Sequence, residues 1–158
     1  DNPFEPGLDG GEDVDGLNVG NRLMSAGEYE LALRAYSRAI GEQGFSPDVL
    51  SALGSANLKL GRLNQSEELL RRATREEPDF VPAWNNLGVV LMEKGETIEA
   101  RQVFRHAYAL DSGNSDQIRD NLRLAIAKTE NSEYEDDITT PYQLVRRGSS
   151  DFLILQTP

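Results

Sequence analysis

The sequence predicts an all-α protein in which three helix hairpins stack side by side and one more helix closes the stack. Three glycines give the first sign of repetition, since each follows a large apolar residue and they lie 34 residues apart: Gly20, Gly54 and Gly88. A second glycine follows seven residues later in every copy: Gly27, Gly61 and Gly95. A fixed period of this length is typical of a stacked-repeat architecture.

The three copies run without insertion, and their boundaries are 13–46, 47–80 and 81–114. Each copy divides into two helices. The first helices are predicted at 14–26, 48–60 and 82–94, and the second helices at 29–42, 64–77 and 97–110. The second glycine of each copy falls between its two helices, where it can end the first helix in a left-handed cap. Asn64 and Thr97 are suitable N-caps for the helices that follow.

The glycines inside the first helices need a physical reason, because each costs about 1 kcal/mol relative to alanine. Two helices of a hairpin approach more closely than about 8–10 Å only where side chains are small or absent. We therefore expect close helix contact at these glycines. The small partners on the second helices are Ala32, Ser66 and Ala100, and the large residues expected to fill the space between successive units are Tyr36, Leu70 and Phe104.

A seventh helix is predicted at 115–129, with Ser115 or Asp116 as its cap. Its apolar stripe consists of Ile118, Leu122, Ala125 and Ile126. Leu122 stands where another repeat would need its glycine, so this helix is predicted to cover the open apolar end of the third repeat. The folded domain is therefore expected to span 14–129.

The two flanks differ from the repeats in composition. Residues 1–13 combine acidic residues with Pro and Gly and are expected to form a disordered leader. Residues 130–158 are expected to be an acidic linker followed by an apolar tail. A tail carrying Phe152-Leu153-Ile154-Leu155 would be an aggregation hazard in water. Because the linker at 129–140 can extend about 40 Å, we expect 141–156 to dock on the protein's own groove or on a partner.

The net charge of −11 comes from residues 1–16 and 129–140, which carry eleven acidic residues and no basic one, since the rest of the chain carries sixteen of each. Nucleic acid is excluded as a partner, because phosphate binding needs a basic face. No apolar run is long enough to span a membrane, and no signal peptide is recognisable. The sequence begins with Asp1, which we interpret as a processed or trimmed start of a nearly complete mature protein.

Nothing in the sequence predicts catalysis or a bound cofactor or metal ion. There is no cysteine and only one histidine, His106, which is expected to be an ordinary surface residue. No glycine-rich phosphate loop follows a strand, and no His/Cys spacing suits a metal. The protein is therefore predicted to be no enzyme and to use no cofactor.

The 34-residue pattern resembles the tetratricopeptide repeat (TPR) family across residues 13–114. The third repeat carries most of the family pattern, with Trp84, Leu87, Gly88, Leu91, Gly95, Ala100, Phe104 and Ala107. The second repeat departs from it at Asn57 and Ser66, and the first has Gly16 where the family has Trp. The resemblance implies a right-handed superhelix.

The resemblance also implies that the first helices line a concave groove, which in this family holds an extended peptide or a helix from a partner protein. By position, the groove residues are Leu17, Asn18, Asn21 and Met24 in repeat 1, Ser51, Ala52, Ser55 and Leu58 in repeat 2, and Asn85, Asn86, Val89 and Met92 in repeat 3. Asn amides can both donate and accept hydrogen bonds, so they suit a peptide backbone.

One subclass of the family clamps the C-terminal carboxylate of a chaperone with Lys, Arg and Asn. The matching positions here are Leu17, Asn21, Ala52, Pro82 and Asn86. Only Asn21 fits, and every cationic position is lost. The sequence therefore predicts an uncharged groove and excludes chaperone-tail binding.

The function predicted from this resemblance is a non-catalytic scaffold that binds a protein partner. The leader, three repeats, closing helix and tail more loosely resemble the TPR lipoprotein of tight-adherence (Flp-type) pilus assembly and secretion. That resemblance implies a periplasmic location at the outer membrane, with membrane contact only through a lipid anchor upstream of Asp1. The alternatives are a structural or regulatory TPR subunit of a cytoplasmic complex, or the regulatory part of a larger enzyme.

Overall fold

A computed structural model of the chain describes residues 15–137, with side chains up to residue 131. Seven α-helices and no strand occur in this part of the chain. The helices are α1 Gly16–Ser25, α2 Tyr29–Gln43, α3 Pro47–Lys59, α4 Leu63–Glu76, α5 Val81–Glu93, α6 Thr97–Leu110 and α7 Asp116–Asp137. Successive pairs form three hairpins that stack in order, and α7 packs on α6 and α5. The predicted all-α repeat architecture is confirmed.

The turns inside the hairpins are built on glycines in the left-handed region. Gly27, Gly61 and Gly95 have φ values of +78°, +75° and +80°. In each turn the next residue also donates its N–H five residues back, as Glu28 does to the Leu23 carbonyl oxygen at 2.8 Å. This arrangement satisfies carbonyls at the end of the first helix, and the predicted glycine caps are confirmed.

The predicted N-caps of the second helices are wrong. Asn64 and Thr97 lie inside α4 and α6, and the cap positions belong to Arg62 and Glu96, which make no side-chain cap bond. The reason is the shortness of the turn. The residue directly after the glycine is already the N-cap of the second helix, which starts at the next residue.

The mid-helix glycines leave room for large side chains from the second helix of the same hairpin. A Cβ at Gly20 would overlap the ring of Tyr36, and a Cβ at Gly88 would overlap the ring of Phe104. A Cβ at Gly54 would lie 2.6 Å from Leu70 Cγ. The predicted close contacts are confirmed, and the large residues fill the hairpin that they belong to as well as the space towards the next repeat.

Each second helix has a small, fully buried residue at the same position of the repeat. Ala32 and Ala100 are fully buried, and so is Ser66 in the second repeat. Ser66 Oγ donates a hydrogen bond to the Gly54 carbonyl oxygen at 2.7 Å, so the buried hydroxyl is satisfied by the helix it packs against. A serine therefore replaces alanine here without leaving a polar atom unpaired.

Helix α7 closes the stack as predicted. Ser115 caps it, since its Oγ accepts from the Ile118 N–H at 3.3 Å. Ile118 and Ala125 are fully buried, and Leu122 packs against the core cluster of repeat 3. The helix continues to Asp137 rather than ending at 129, so it passes through the start of the segment predicted as linker. The leader at 1–13 and the apolar tail at 141–156 lie outside the described residues.

An ion-pair network on the outer surface joins the second and third repeats. Glu67 on α4 accepts from Lys94 Nζ at 2.7 Å and from Arg71 Nε at 3.0 Å. Arg71 also bonds Glu99 on α6 at 2.6 Å. The hydrogen bond from Lys94, supported by Arg71, lowers the pKa of Glu67 despite its partial burial. Charged networks of this kind contribute more than isolated surface pairs.

Glu67→Gln should reduce the loss of stability in acid. The pKa of Glu67 is lowered in the folded protein, so its contribution is present above the ordinary carboxylate pKa and is lost as the pH falls. The parent should therefore lose more of its melting temperature between pH 7 and pH 3 than Glu67→Gln does. Thermal unfolding followed by circular dichroism measures this difference. The exposed neighbour Glu68 provides the control, because Glu68→Gln should keep the acid response of the parent.

Candidate peptide-binding face

The predicted groove residues lie on the first helix of each hairpin, and we call this surface the inner face. Its members are Leu17, Asn18, Asn21, Met24, Ser51, Ala52, Ser55, Leu58, Asn85, Asn86, Val89 and Met92. The structure aligns them in rows, because the repeat period returns to the same place on α1, α3 and α5. Asn18 is exposed and Leu17 and Asn21 are half-buried, whereas all the others are buried.

A buried polar row joins α3 to α5 on the inner face. Asn86 Nδ2 donates to Ser55 Oγ at 2.9 Å and lies 3.3 Å from Ser51 Oγ. The Ser55 hydroxyl donates in turn to the Ser51 carbonyl oxygen at 3.1 Å. A buried amide without partners would be destabilising. These bonds therefore fix how repeats 2 and 3 pack against each other.

A second polar contact joins α5 to α7. Asn121 Nδ2 donates to Asn85 Oδ1 at 3.0 Å, and both side chains are almost fully buried. Asn85 and Asn86 thus bond to helices on opposite sides of α5. The groove position of these amides predicts contact with a bound peptide, whereas their bonds to neighbouring helices could not be expected from that position. The signal that could have found Asn121 is its place 36 residues after Asn85, close to one repeat period.

An apolar row runs parallel to the polar row. Met24, Leu58 and Met92 occupy the same position in the three repeats, near the C-terminal end of each first helix, and Val89 lies one turn before Met92. All four are buried. Methionine side chains adapt to partners of different shape. The inner face therefore combines thioether and methyl groups with amides and hydroxyls.

In the first repeat, Asn21 is tied to the hairpin by Tyr36. The Tyr36 hydroxyl donates to Asn21 Oδ1 at 2.7 Å, and the tyrosine is 1% exposed. Burial raises the pKa of Tyr36 well above its ordinary value. The amide oxygen of Asn21 is thus oriented by the core residue that fills the gap at Gly20.

Tyr36→Phe should lower the free energy of unfolding by about 1 kcal/mol at pH 7, because it removes this hydrogen bond and keeps the ring. The raised pKa of Tyr36 adds a pH effect. The neutral phenol is favoured in the folded protein, so its contribution is complete below pH 10 and is lost as the pH rises further. The difference between parent and variant should shrink above pH 10. Urea unfolding at pH 7, 9 and 11 measures it, and a constant difference would contradict the assignment.

Charged residues lie at one edge of the inner face, where the first helices end. Burial raises the pKa of Glu93, at the end of α5, and the positive charges of Lys128 on α7 and Lys59 on α3 partly offset this effect. Lys128 itself is buried to 9% exposure. These interactions place residue 128 of α7 level with the ends of α3 and α5.

A cleft of about 480 Å³ lies on the outer side, between α4 and the third hairpin. Trp84 and His106 line it, with their ring centroids 4.2 Å apart in an edge-to-face arrangement. Trp84 Nε1 donates to the Pro78 carbonyl oxygen at 2.7 Å. The single histidine is thus an exposed residue that contacts an aromatic ring, and within the described residues no hydrogen bond or ion pair joins it to a nucleophile or to a carboxylate such as Glu99, which lines the same cleft.

None of the helices within residues 15–137 has the length and apolar character needed to cross a membrane. No three acidic or histidine side chains within that range are grouped so that they could hold a metal ion.

The fold and the inner face together define a class, that of helical-repeat proteins whose first helices form a continuous lining surface. The sequence profile of the tetratricopeptide repeat matches residues 17–64 and again 51–115, which is more than half of the chain. The chain belongs to the tetratricopeptide repeat family.

Two fungal proteins show the relationship among curated sequences. Small glutamine-rich tetratricopeptide repeat-containing protein 2 of Mycosarcoma maydis is 30% identical over 95 residues, which cover 60% of this chain and 27% of that protein. The heat-shock protein cognate co-chaperone sgt12 of Aspergillus fumigatus is 25% identical over 112 residues, which cover 70% of this chain and 33% of the relative. The chain therefore spans about a third or less of the length of these relatives.

Solved structures confirm the fold. The Sgt2 TPR domain from Aspergillus fumigatus matches with a TM-score of 0.72 at 23% identity, covering 82% of this chain and 85% of that one. The second TPR domain of human RPAP3, solved with the HSP70 peptide SGPTIEEVD, matches with a TM-score of 0.62 at 24% identity, covering 71% and 92%. The chain has the TPR superhelical fold.

The predicted periplasmic location at the outer membrane is wrong. The relatives are a TPR protein and a co-chaperone from fungi, whereas a periplasm bounded by an outer membrane is a bacterial compartment. The loose resemblance to the lipoprotein of tight-adherence pilus assembly finds no support in these relatives.

Proposed function

We propose that this chain is a non-catalytic scaffold, a TPR subunit of a larger cytoplasmic complex that binds an extended peptide or a helix from a partner on its inner face. Membership of the TPR family supports this proposal. The peptide complex of the human RPAP3 domain and the co-chaperone relative from Aspergillus fumigatus support it as well. The partner segment is uncharged.

The observation that carries this choice of ligand is the chemistry of the inner face. An acidic chaperone tail needs cationic groups that compensate its carboxylates. Leu17, Ala52 and Pro82 provide none, and Asn86 is committed to Ser51 and Ser55. Desolvating several carboxylates on such a surface would be unfavourable. An apolar segment with its backbone paired to amides meets no such penalty.

The apolar row and the polar row would then serve different parts of the ligand. The thioethers and methyl groups of Met24, Leu58 and Met92 would contact apolar side chains of an extended segment. Asn21 and Asn18 are less buried than the other polar members and would meet its backbone first, Asn21 with its amide oxygen already oriented by Tyr36 and Asn18 with its amide bonded to Asp15 Oδ2 at 2.9 Å. This division resembles peptide recognition in general, where backbone bonds give affinity and pockets give specificity.

A random 12-residue peptide library, selected against the full chain, tests the proposal. We expect the selected peptides to be rich in apolar residues and poor in Asp and Glu. The peptide SGPTIEEVD should bind at least tenfold more weakly than the best of them. Selection of acidic peptides that need a free C-terminal carboxylate would contradict the proposal. So would a failure to select any peptide, both with the full chain and with its double variant Phe152→Ser, Ile154→Ser.

A matched pair of variants locates the binding surface. Met92→Gln replaces the thioether on the inner face by an amide of similar length, and it should weaken the selected peptides at least fivefold. Ile98→Gln makes a comparable change on the exposed side of α6, where the side chain is 58% exposed. It should leave affinity unchanged. Equal effects of the two variants would move the binding site away from the inner face.

A further inference from the structure

We infer that residues 141–156 of the same chain occupy the inner face when no partner is bound, so that this segment competes with the partner. The inference rests on the proposed function, because it concerns the regulation of the same surface. It has three supports: the place where α7 ends, the length of chain that follows, and the matching chemistry of segment and surface.

The end of α7 brings the following chain to the correct edge. Asn121 bonds Asn85 on α5, and Thr129 Oγ1 lies 3.5 Å from the Thr97 carbonyl oxygen, at the start of α6 just after the turn where α5 ends. Helix α7 then continues to Asp137. At 1.5 Å per residue, it projects roughly 14 Å beyond that edge. The chain after Asp137 therefore starts roughly 14 Å beyond the edge of the inner face at which the first helices end.

The remaining chain is long enough to cross the surface. Sixteen extended residues span about 53 Å, and the three residues 138–140 add about 10 Å. Returning along the projecting part of α7 takes roughly 14 Å. Crossing from α7 over α5 and α3 to α1 takes three interhelical steps of about 9–10 Å. The segment can thus reach Met24 in the first repeat as well as Met92 in the third.

The chemistry of the segment fits the apolar row. Residues 152–155 read Phe-Leu-Ile-Leu, a run that gains from leaving water. The inner face offers thioethers and methyl groups at one position in every repeat, and its clamp positions carry no cation. This run shares the apolar character that we propose for the partner, and the charged residues within 141–156, namely Arg146, Arg147 and Asp151, lie outside it.

The tether favours this occupant over a second copy or a foreign peptide. A short linker gives the attached segment an effective concentration in the millimolar range. A second copy of the chain would match this only at millimolar protein. The same chain is therefore the occupant, and a partner segment must displace it.

The two methionines make a direct test possible in the full chain. Met24 and Met92 are its only methionines, and they lie at opposite ends of the apolar row. Because the protein has no cysteine, Thr157→Cys gives a single site for a spin label. With ¹³C-labelled methionine methyl groups, we expect both methyl signals to lose more than half of their intensity. Unchanged signals would overturn the inference.

A mixing experiment separates the same chain from a second copy. Spin-labelled protein without ¹³C is mixed with ¹³C-labelled protein that carries no spin label. The methionine signals should then keep their intensity. Broadening in the mixture would show that the segment binds another copy, which also overturns the inference.

The double variant Phe152→Ser, Ile154→Ser tests competition in the full chain. The selected peptides should bind it at least tenfold more tightly than the parent, because occupancy of the face by the segment lowers apparent affinity in proportion. Gln156→Ser, a polar change next to the run, should behave like the parent. Equal affinity for parent and double variant would overturn the competition and leave the proposed function standing. Binding to neither form would contradict the proposed function itself.

Discussion

Phe104→Ala is expected to lower the free energy of unfolding by about 4 kcal/mol, the largest effect of any single substitution considered. The ring is fully buried and lies against Gly88 in the third hairpin. Replacing a buried phenylalanine by alanine removes its transfer free energy and leaves a cavity. The backbone at Gly88 cannot fill that cavity, because it has no side chain to contribute. Chemical unfolding followed by circular dichroism at 222 nm measures the change.

Ile98 is a suitable control for this substitution, since it lies on the same helix but is 58% exposed. Ile98→Ala should change the free energy of unfolding by less than about 0.5 kcal/mol. Comparable losses for the two variants would mean that α6 contributes through its helix propensity rather than through the contact of Phe104 with α5.

Gly88→Ala should have the second-largest effect, a loss of about 2–3 kcal/mol. Alanine is normally the better helix former, but a Cβ at Gly88 would overlap the Phe104 ring, so the two helices would have to separate. Overpacking of a filled core has costs of this order. Thermal and chemical unfolding of the variant measure the loss.

Gly41 in α2 provides a control in which the same substitution should have the opposite sign. It also lies inside a helix, but no atom lies within 4 Å of the position that its Cβ would take. Gly41→Ala should therefore raise the free energy of unfolding by about 0.5–1 kcal/mol. If Gly88→Ala were stabilising as well, close packing would not explain the repeated glycine.

The parts of the fold that repeat could be predicted from the sequence. Gly20, Gly54 and Gly88 each contact a large side chain at the equivalent position of the next helix. The same packing constraint therefore acts in all three repeats. Gly27, Gly61 and Gly95 are similar, because a left-handed φ admits few other residues. In a sequence with three copies, a pattern seen in one repeat can thus be checked in the other two.

The parts that do not repeat escaped prediction. The bonds of Asn86 to Ser51 and Ser55 join residues more than 30 positions apart. From the sequence alone, an Asn on a lining surface is equally consistent with a ligand contact and with a packing contact. The start of α4 at Leu63 depends on the geometry of a turn that propensity does not describe. The location was predicted wrongly because it rested on a loose resemblance of a few residues in the flanks, outside the repeats whose period identifies the fold.

The candidate site was predicted in position but not in environment. Rows of first-helix residues follow from the period alone, and the structure brings them together as expected. Their burial could not be derived in the same way, since it depends on what each helix packs against. Peptide binding through these positions stays a prediction.

The buried amides on α5 have a consequence for the evolution of this array. If repeat 2 were deleted, α5 would lie beside α1, and Asn86 would face Leu17 and Asn21 in place of Ser51 and Ser55. An aliphatic residue would then stand where a hydroxyl is required, and polar mismatches of this kind disfavour incorrect pairing. The units are therefore not interchangeable modules, and unequal crossing-over that deletes repeat 2 would yield a shortened array that assembles poorly.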